Sequence, residues 1–84
     1  MDQIAQPVIA EIAACCGLNS DSVTTDAWLV EYGIDSVNSL ELLMGLEDRH
    51  DISLSDEEIA EIVTVSDVIS IIQKKVAEAI PHET

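Results

Sequence analysis

Apolar residues return at helical spacing along this chain, and turn formers and capping signals separate one run from the next. Ile4, Val8, Ile12 and Cys15 fall on one such run, with Ala5, Ile9, Ala13 and Cys16 beside them, which predicts a helix over 2–16 stopped by Gly17. Pro7 fits it only if the helix begins near Gln6, with the proline at its first position, or bends there. The second run covers 36–50. At about 100° per residue, Ser39, Leu42, Leu43, Leu46 and His50 share its inward face. Ser55-Asp56-Glu57-Glu58 reads as a capping box opening a short third helix to about Val63, with Ile59 and Ile62 inward. Thr64-Val65-Ser66-Asp67 is a second capping signal. It opens a last helix over about 66–79 with Val68, Ile69, Ile72, Val76 and Ala79 buried, ended by Pro81. Lys74 and Lys75 fall toward the negative end of that helix's dipole.

The expected architecture is all-α: a small four-helix bundle of three longer helices and one short third helix, forming a single domain over 1–84. A long first loop, 17–35, joins the first two helices, with Leu18, Val23, Trp28 and Leu29 pinning it to the core and a short helical turn near 26–31. So long a loop in so small a domain needs a reason. Carrying the chain across the bundle, so that the second helix starts at an exposed corner, supplies one.

Charge narrows the function. Seventeen acids face three bases, for a net charge of −14. With only Arg49, Lys74 and Lys75 available, neither nucleic acid nor an anionic membrane surface is a partner. A basic-surfaced protein, or a metal cation, is the natural counterpart. Self-repulsion also predicts a fold loosened at low ionic strength and firmed by salt or magnesium. Cys15 and Cys16 are adjacent, a poor geometry for a disulfide, and are expected as buried small apolar residues. His50 and His82 are far apart, and no EF-hand spacing exists, so no metal site is expected. The N-terminus lacks a long apolar run, so no signal peptide or membrane span is read and the setting is cytoplasmic.

The remaining feature is Gly33-Ile34-Asp35-Ser36-Val37 at the start of the second helix. A helix start leaves backbone N–H groups unpaired and carries partial positive charge, which favours an attached phosphate. Ser36 reads as a hydroxyl presented for covalent modification, and either Asp35 or Ser36 can cap the helix. Beyond it, Val37, Glu41, Met44 and Asp48 share the outward face, with Glu47 alongside. Two apolar side chains ringed by acids read as a docking surface, which Asp56 and Glu57 extend. No histidine is placed to activate Ser36 and no oxyanion donor is recognisable, so hydrolytic catalysis is excluded.

These pieces resemble the acyl carrier protein family. The matching residues are Gly33 to Val37, Leu40-Glu41-Leu42, Met44, Leu46-Glu47, Ser55 to Glu58 and Thr64-Val65, so the resemblance spans essentially the whole chain. It implies a non-catalytic, monomeric carrier with 4′-phosphopantetheine on Ser36, transferred from coenzyme A by a phosphopantetheinyl transferase. It also implies loading, modifying and transferring enzymes as partners, in fatty-acid or polyketide-type biosynthesis. Ser39, Leu42, Leu43, Leu46, Ile59 and Ile62 are then candidate walls for a sheltered acyl chain. Two residues depart from the family pattern. Val37 stands where leucine is usual, and His50 where a bulky apolar residue is usual. The high acidity favours an acyl carrier over the alternative, an aminoacyl or peptidyl carrier. A rival of another class is an unmodified acidic interaction module in which Ser36 is only a helix cap.

Overall fold

The computed structural model describes residues 4–79, the side chains of Ser36, Val37 and Ala79 excepted. Four helices follow one another: α1 (Ala5–Cys16), α2 (Ser36–His50), α3 (Asp56–Ala60) and α4 (Val65–Ala79). The expectations placed on Asp2, on Pro81 and on the tail from His82 lie outside the described residues, as does burial of the Ala79 side chain.

Pro7 takes neither of the two expected arrangements. It is the third residue of α1. The first four N–H groups of a helix have no internal partner, so the proline costs no hydrogen bond there. Val8, Ile12 and Ala13 are buried, while Ile4, Ala5, Ile9 and Cys16 are half-buried against the core. Gly17 ends the helix at φ 70°, the left-handed conformation that glycine adopts without strain, and the Leu18 N–H donates to the Ala13 carbonyl at 2.8 Å. Cys15 corrects an expectation: it is exposed. Ile9, Ala13 and Cys16 carry the inward face of α1 into its last turn, and Cys15, about 100° round from Cys16, is turned to solvent.

The first loop is pinned, but not by all the residues expected. Val23, Ala27, Leu29 and Ile34 are buried, whereas Leu18 and Trp28 are exposed. The cause is a backbone clamp. The Leu29 N–H donates to the Val63 carbonyl at 2.9 Å, and the Val65 N–H donates to the Ala27 carbonyl at 3.0 Å, so that Trp28 and Thr64 form an antiparallel bridge. In extended backbone, successive side chains point opposite ways. Ala27 and Leu29 turn inward, and Trp28 is turned out. The helical turn comes three residues later than expected, as a 3-10 turn over Leu29–Tyr32. The Tyr32 hydroxyl fastens the loop further, accepting from the Thr24 N–H at 2.9 Å and donating to the Ser22 carbonyl at 3.4 Å.

α2 has the expected bounds. Leu42, Leu43 and Leu46 are buried beneath it, and α1, α2 and α4 pack on one another. His50 is half-buried, and its Nε2 is buried with no hydrogen-bond partner among the described residues. The capping box at α3 forms in both directions: Glu58 N–H to Ser55 Oγ at 3.1 Å, and Ser55 N–H to Glu58 Oε1 at 2.8 Å. α3 nevertheless stops at Ala60 rather than near Val63, because the Val63 N–H, which would extend it, donates to Asp67 Oδ2 at 2.9 Å instead. None of its residues is fully buried. Lys75 does not serve the last turn of α4 as expected. Its Nζ lies 3.1 Å from Glu58 Oε2, tying α4 to α3. Arg49 ties α2 to α1 through Glu11 at 3.2 Å.

The capping signal ahead of α4 is built as read. Thr64 Oγ1 accepts from the Asp67 N–H at 3.1 Å, and Asp67 Oδ2 accepts from the N–H groups of Thr64 at 3.0 Å and Val63 at 2.9 Å. These donors, Thr64 first, hold the Asp67 carboxyl below its ordinary pKa, and the Ser55 N–H does the same for Glu58. A depressed folded-state pKa contributes stability above the unfolded-state value and loses it as pH falls through the folded value. Net repulsion acts in the opposite sense, easing as acids protonate. The melting temperature is therefore expected to rise from pH 7 to about 5 and to fall below about 3.5. In thermal melts, Asp67→Ala should lose about 1 kcal/mol at neutral pH and flatten the acid limb. An acid limb identical to the wild type's would rule Asp67 out as its source.

Candidate functional site at the start of α2

The start of α2 is set by its approach. Gly33, at φ 83°, turns the chain out of the 3-10 turn, and its N–H donates to the Val30 carbonyl at 3.1 Å. Ile34 then plants itself in the core. Asp35 is the cap: its Oδ1 accepts from the Asn38 N–H at 2.9 Å, and its carbonyl accepts from the Ser39 N–H at 2.8 Å. The Asn38 side chain donates back to the Gly33 carbonyl at 3.4 Å. Of the two capping candidates, the aspartate fills the role, which leaves Ser36 as the first residue of the helix. Its side chain, like that of Val37, lies outside the described ones.

An apolar groove of about 580 Å³ opens beside this corner, with Asp35 and Ser39 at one edge. Leu29 and Ile34 belong to the core beneath it, and Ile59, Ile62 and Val63 form the far wall. On its rim stand Trp28, Val30 and Leu40, which are 55, 67 and 49% exposed. Of the six residues expected to wall an acyl pocket, Ser39, Ile59 and Ile62 come together at this groove. Leu42, Leu43 and Leu46 do not; they pack in the core. Sequence reading missed the rim. The apolar run Trp28-Leu29-Val30, too long for all three to point inward at one turn, is the signal that could have found it.

On the outward face of α2, Glu41 and Asp48 are exposed and Met44 is 63% exposed. Asp56 and Glu57 are exposed at the start of α3. Glu47 differs from the rest. It is half-buried, and its Oε2 accepts from the Leu54 N–H at 2.7 Å, which anchors the connection after α2. Among the described residues, no three or more His, Cys, Asp or Glu side chains are placed to hold a metal ion, and no helix is long and apolar enough to cross a membrane.

The corner suits a phosphodiester-linked arm. The helix start supplies partial positive charge, the cap is provided by a residue other than the serine, and an apolar groove begins alongside. Comparison with known proteins agrees. The phosphopantetheine attachment site family matches residues 6–72. The acyl carrier protein of Akkermansia muciniphila is 38% identical over 74 residues, covering 87% of this chain and 92% of that one. That of Rickettsia canadensis is 36% identical over 75 residues, covering 88% and 87%. The crystal structure of an acyl carrier protein from Thermotoga maritima superposes with a TM-score of 0.77 at 30% identity, covering 90% of this chain and 94% of that one. The chain belongs to the acyl carrier protein family, as a non-catalytic carrier whose prosthetic group is a covalently attached 4′-phosphopantetheine.

Proposed function

We propose that Ser36 is the residue that bears the arm, and that the chain, a cytoplasmic monomer, delivers acyl thioesters to basic-surfaced enzymes of fatty-acid or polyketide-type biosynthesis. The observation that carries the assignment is the capping of α2 by Asp35, which leaves the adjacent serine at the first helical position beside the apolar groove. When attached, the arm supplies a terminal thiol on which acyl groups are held as thioesters. The protein's own residues position and present it. The helix start stabilises the phosphodiester charge. The groove offers Ser39, Ile59 and Ile62, with Trp28 and Leu40 on its rim, as a resting surface for apolar cargo.

Incubation with coenzyme A, magnesium and a promiscuous phosphopantetheinyl transferase tests the assignment. Intact mass should rise by one phosphopantetheine, and fragment ions should place it on Ser36. Placement on a different residue, Ser39 for example, would refute it. The chain's one tryptophan, Trp28, reports on the groove. Loading a medium-length acyl chain should reduce acrylamide quenching of its fluorescence relative to the form with a free arm. Equal quenching in both forms would place the cargo elsewhere.

The outward face of α2 is proposed as the docking surface, with Met44 and Val37 giving apolar contact and Glu41, Asp48, Asp56 and Glu57 giving charge. Glu47 contributes indirectly, by holding the connection that leads to α3. Because Glu41 and Asp48 are exposed, the double variant Glu41→Lys/Asp48→Lys should keep its helicity. Its kcat/KM as a transferase substrate should fall by about tenfold or more at low salt, with the deficit shrinking as salt rises. An unaltered kcat/KM at low salt would remove this face from the encounter.

A further inference from the structure

α3 has open space on both sides. Toward α2 lies the apolar groove of about 580 Å³, which α3 and the residues after it wall with Ile59, Ala60, Ile62 and Val63. Toward α4 lies a crevice of about 250 Å³, where Glu61, Asp67, Ser70 and Lys74 bring charge and polarity to the lining. None of the residues of α3 is fully buried. Close packing therefore does not fix where this helix stands, and discrete polar ties do.

The ends are pinned through the backbone. The Ser55–Glu58 box holds the start of α3, and the Asp67 carboxylate holds Val63 and Thr64 just beyond its end. Between these points Lys75 Nζ reaches from α4 to Glu58 Oε2 at 3.1 Å, and the two side chains are only 22 and 19% exposed, less open to water than an ordinary surface pair. The other Glu58 oxygen accepts from the Ser55 N–H at 2.8 Å. The carboxylate is thus held in place before the lysine meets it, and the pairing loses little side-chain freedom.

The forces on α3 are unequal. On the groove side Trp28, Leu40 and Val63 are 55, 49 and 42% exposed, and closing the groove on itself would take that apolar surface out of water. On the crevice side, closure would bring Glu61, Asp67 and Lys74 out of water, which opposes it. Left to packing, α3 would lean onto α2 and shut an empty groove. The Lys75–Glu58 pair pulls it the other way, toward α4.

We propose that Lys75 is a positioning residue for the cargo: by pairing with Glu58 it holds α3 back against α4 and keeps the groove open. The inference rests on the reading of the groove as the resting surface of the acyl chain. Lys75 does not line the groove and acts on it through Glu58 and α3. An incoming chain then meets a preformed groove and does not have to part its walls. Without the pair, a smaller fraction of the molecules stands open, and seating of the cargo falls with that fraction.

The test uses the full chain with its phosphopantetheine arm, either free or loaded with an octanoyl group. Acrylamide quenching of Trp28 reports whether the groove is open, and cleavage of the thioester by hydroxylamine reports how often the cargo is unseated. In the wild type, loading lowers the quenching. In Lys75→Met the free-arm form should already be quenched less, because the empty groove has closed, and hydroxylamine should cleave the loaded form about threefold faster than in the wild type. Lys75→Arg, which keeps the pair, should match the wild type in both readouts. So should Lys74→Met, which removes the same charge from the neighbouring residue. Equal quenching of the free and loaded wild type would refute the groove as the cargo site, and the proposal with it. Where the wild type shows the difference, the role of Lys75 alone is overturned if Lys75→Met behaves as the wild type does, if Lys75→Arg fails to restore the wild-type values, or if Lys74→Met shifts as far as Lys75→Met.

Discussion

Leu46→Ala is expected to lower stability by about 3–4 kcal/mol. Leu46 is fully buried, on the face of α2 that packs against α1 and α4, and its truncation leaves a cavity that those two helices close poorly. Domains of this size are stable by roughly 5–15 kcal/mol, so the loss is a large part of the total. At about 4–8 °C per kcal/mol, the midpoint should fall by roughly 15–25 °C, leaving a loosely packed helical state accessible in low salt. Leu40→Ala, four residues into the same helix but half-exposed on the rim of the groove, is the internal control and should cost less than about 1 kcal/mol. Equal losses at the two positions would mean that the bundle is not centred where the structure places it.

The difference between those two leucines indicates what the sequence could and could not disclose. Helical period alone identified Leu42, Leu43 and Leu46 as inward, and all three are in the core. Capping chemistry is local, so Gly17, the Ser55–Glu58 box and the Thr64–Asp67 pair were legible as they stand. The first loop was not. Its conformation is fixed by backbone hydrogen bonds to Val63 and Val65, more than thirty residues away, and such bonds leave no mark in residue type. That clamp turned Trp28 outward against a hydrophobicity-based expectation, and the Asp67 carboxylate, by taking the Val63 N–H, ended α3 early. Lys75 similarly found Glu58 across the bundle rather than the end of its own helix.

The same division runs through the site. The corner at Asp35 and Ser36 could be read because a glycine, a cap and a helix start are consecutive. Glu47 looked like a member of the docking face because helical projection puts it next to Glu41, Met44 and Asp48. Its partner, the Leu54 N–H, belongs to a connection whose path depends on the end of α2. That path turns at Asp51, which adopts φ 55°, while the Ile52 N–H closes on the Glu47 carbonyl at 3.0 Å. The acyl-pocket residues divided into core and groove for a related reason. Which of two inward neighbours reaches an open edge is set by the elements that stop short of it, here the brief α3. The unmodified interaction module fails as a rival, since the chain belongs to a family defined by its prosthetic arm.

The central claim is that two adjacent residues divide two roles, Asp35 holding the helix and Ser36 bearing the arm. Intact mass and thermal melting on Asp35→Ala and Ser36→Ala, each after incubation with coenzyme A, magnesium and transferase, test it most directly. Asp35→Ala should lose about 1 kcal/mol, a fall of roughly 4–8 °C, because the Asn38 N–H loses its partner. Ser36→Ala should melt within about 2 °C of the wild type, since its loss removes no cap, and should gain no phosphopantetheine. A Ser36→Ala chain that still acquires the arm, or that unfolds as readily as Asp35→Ala, would contradict the account.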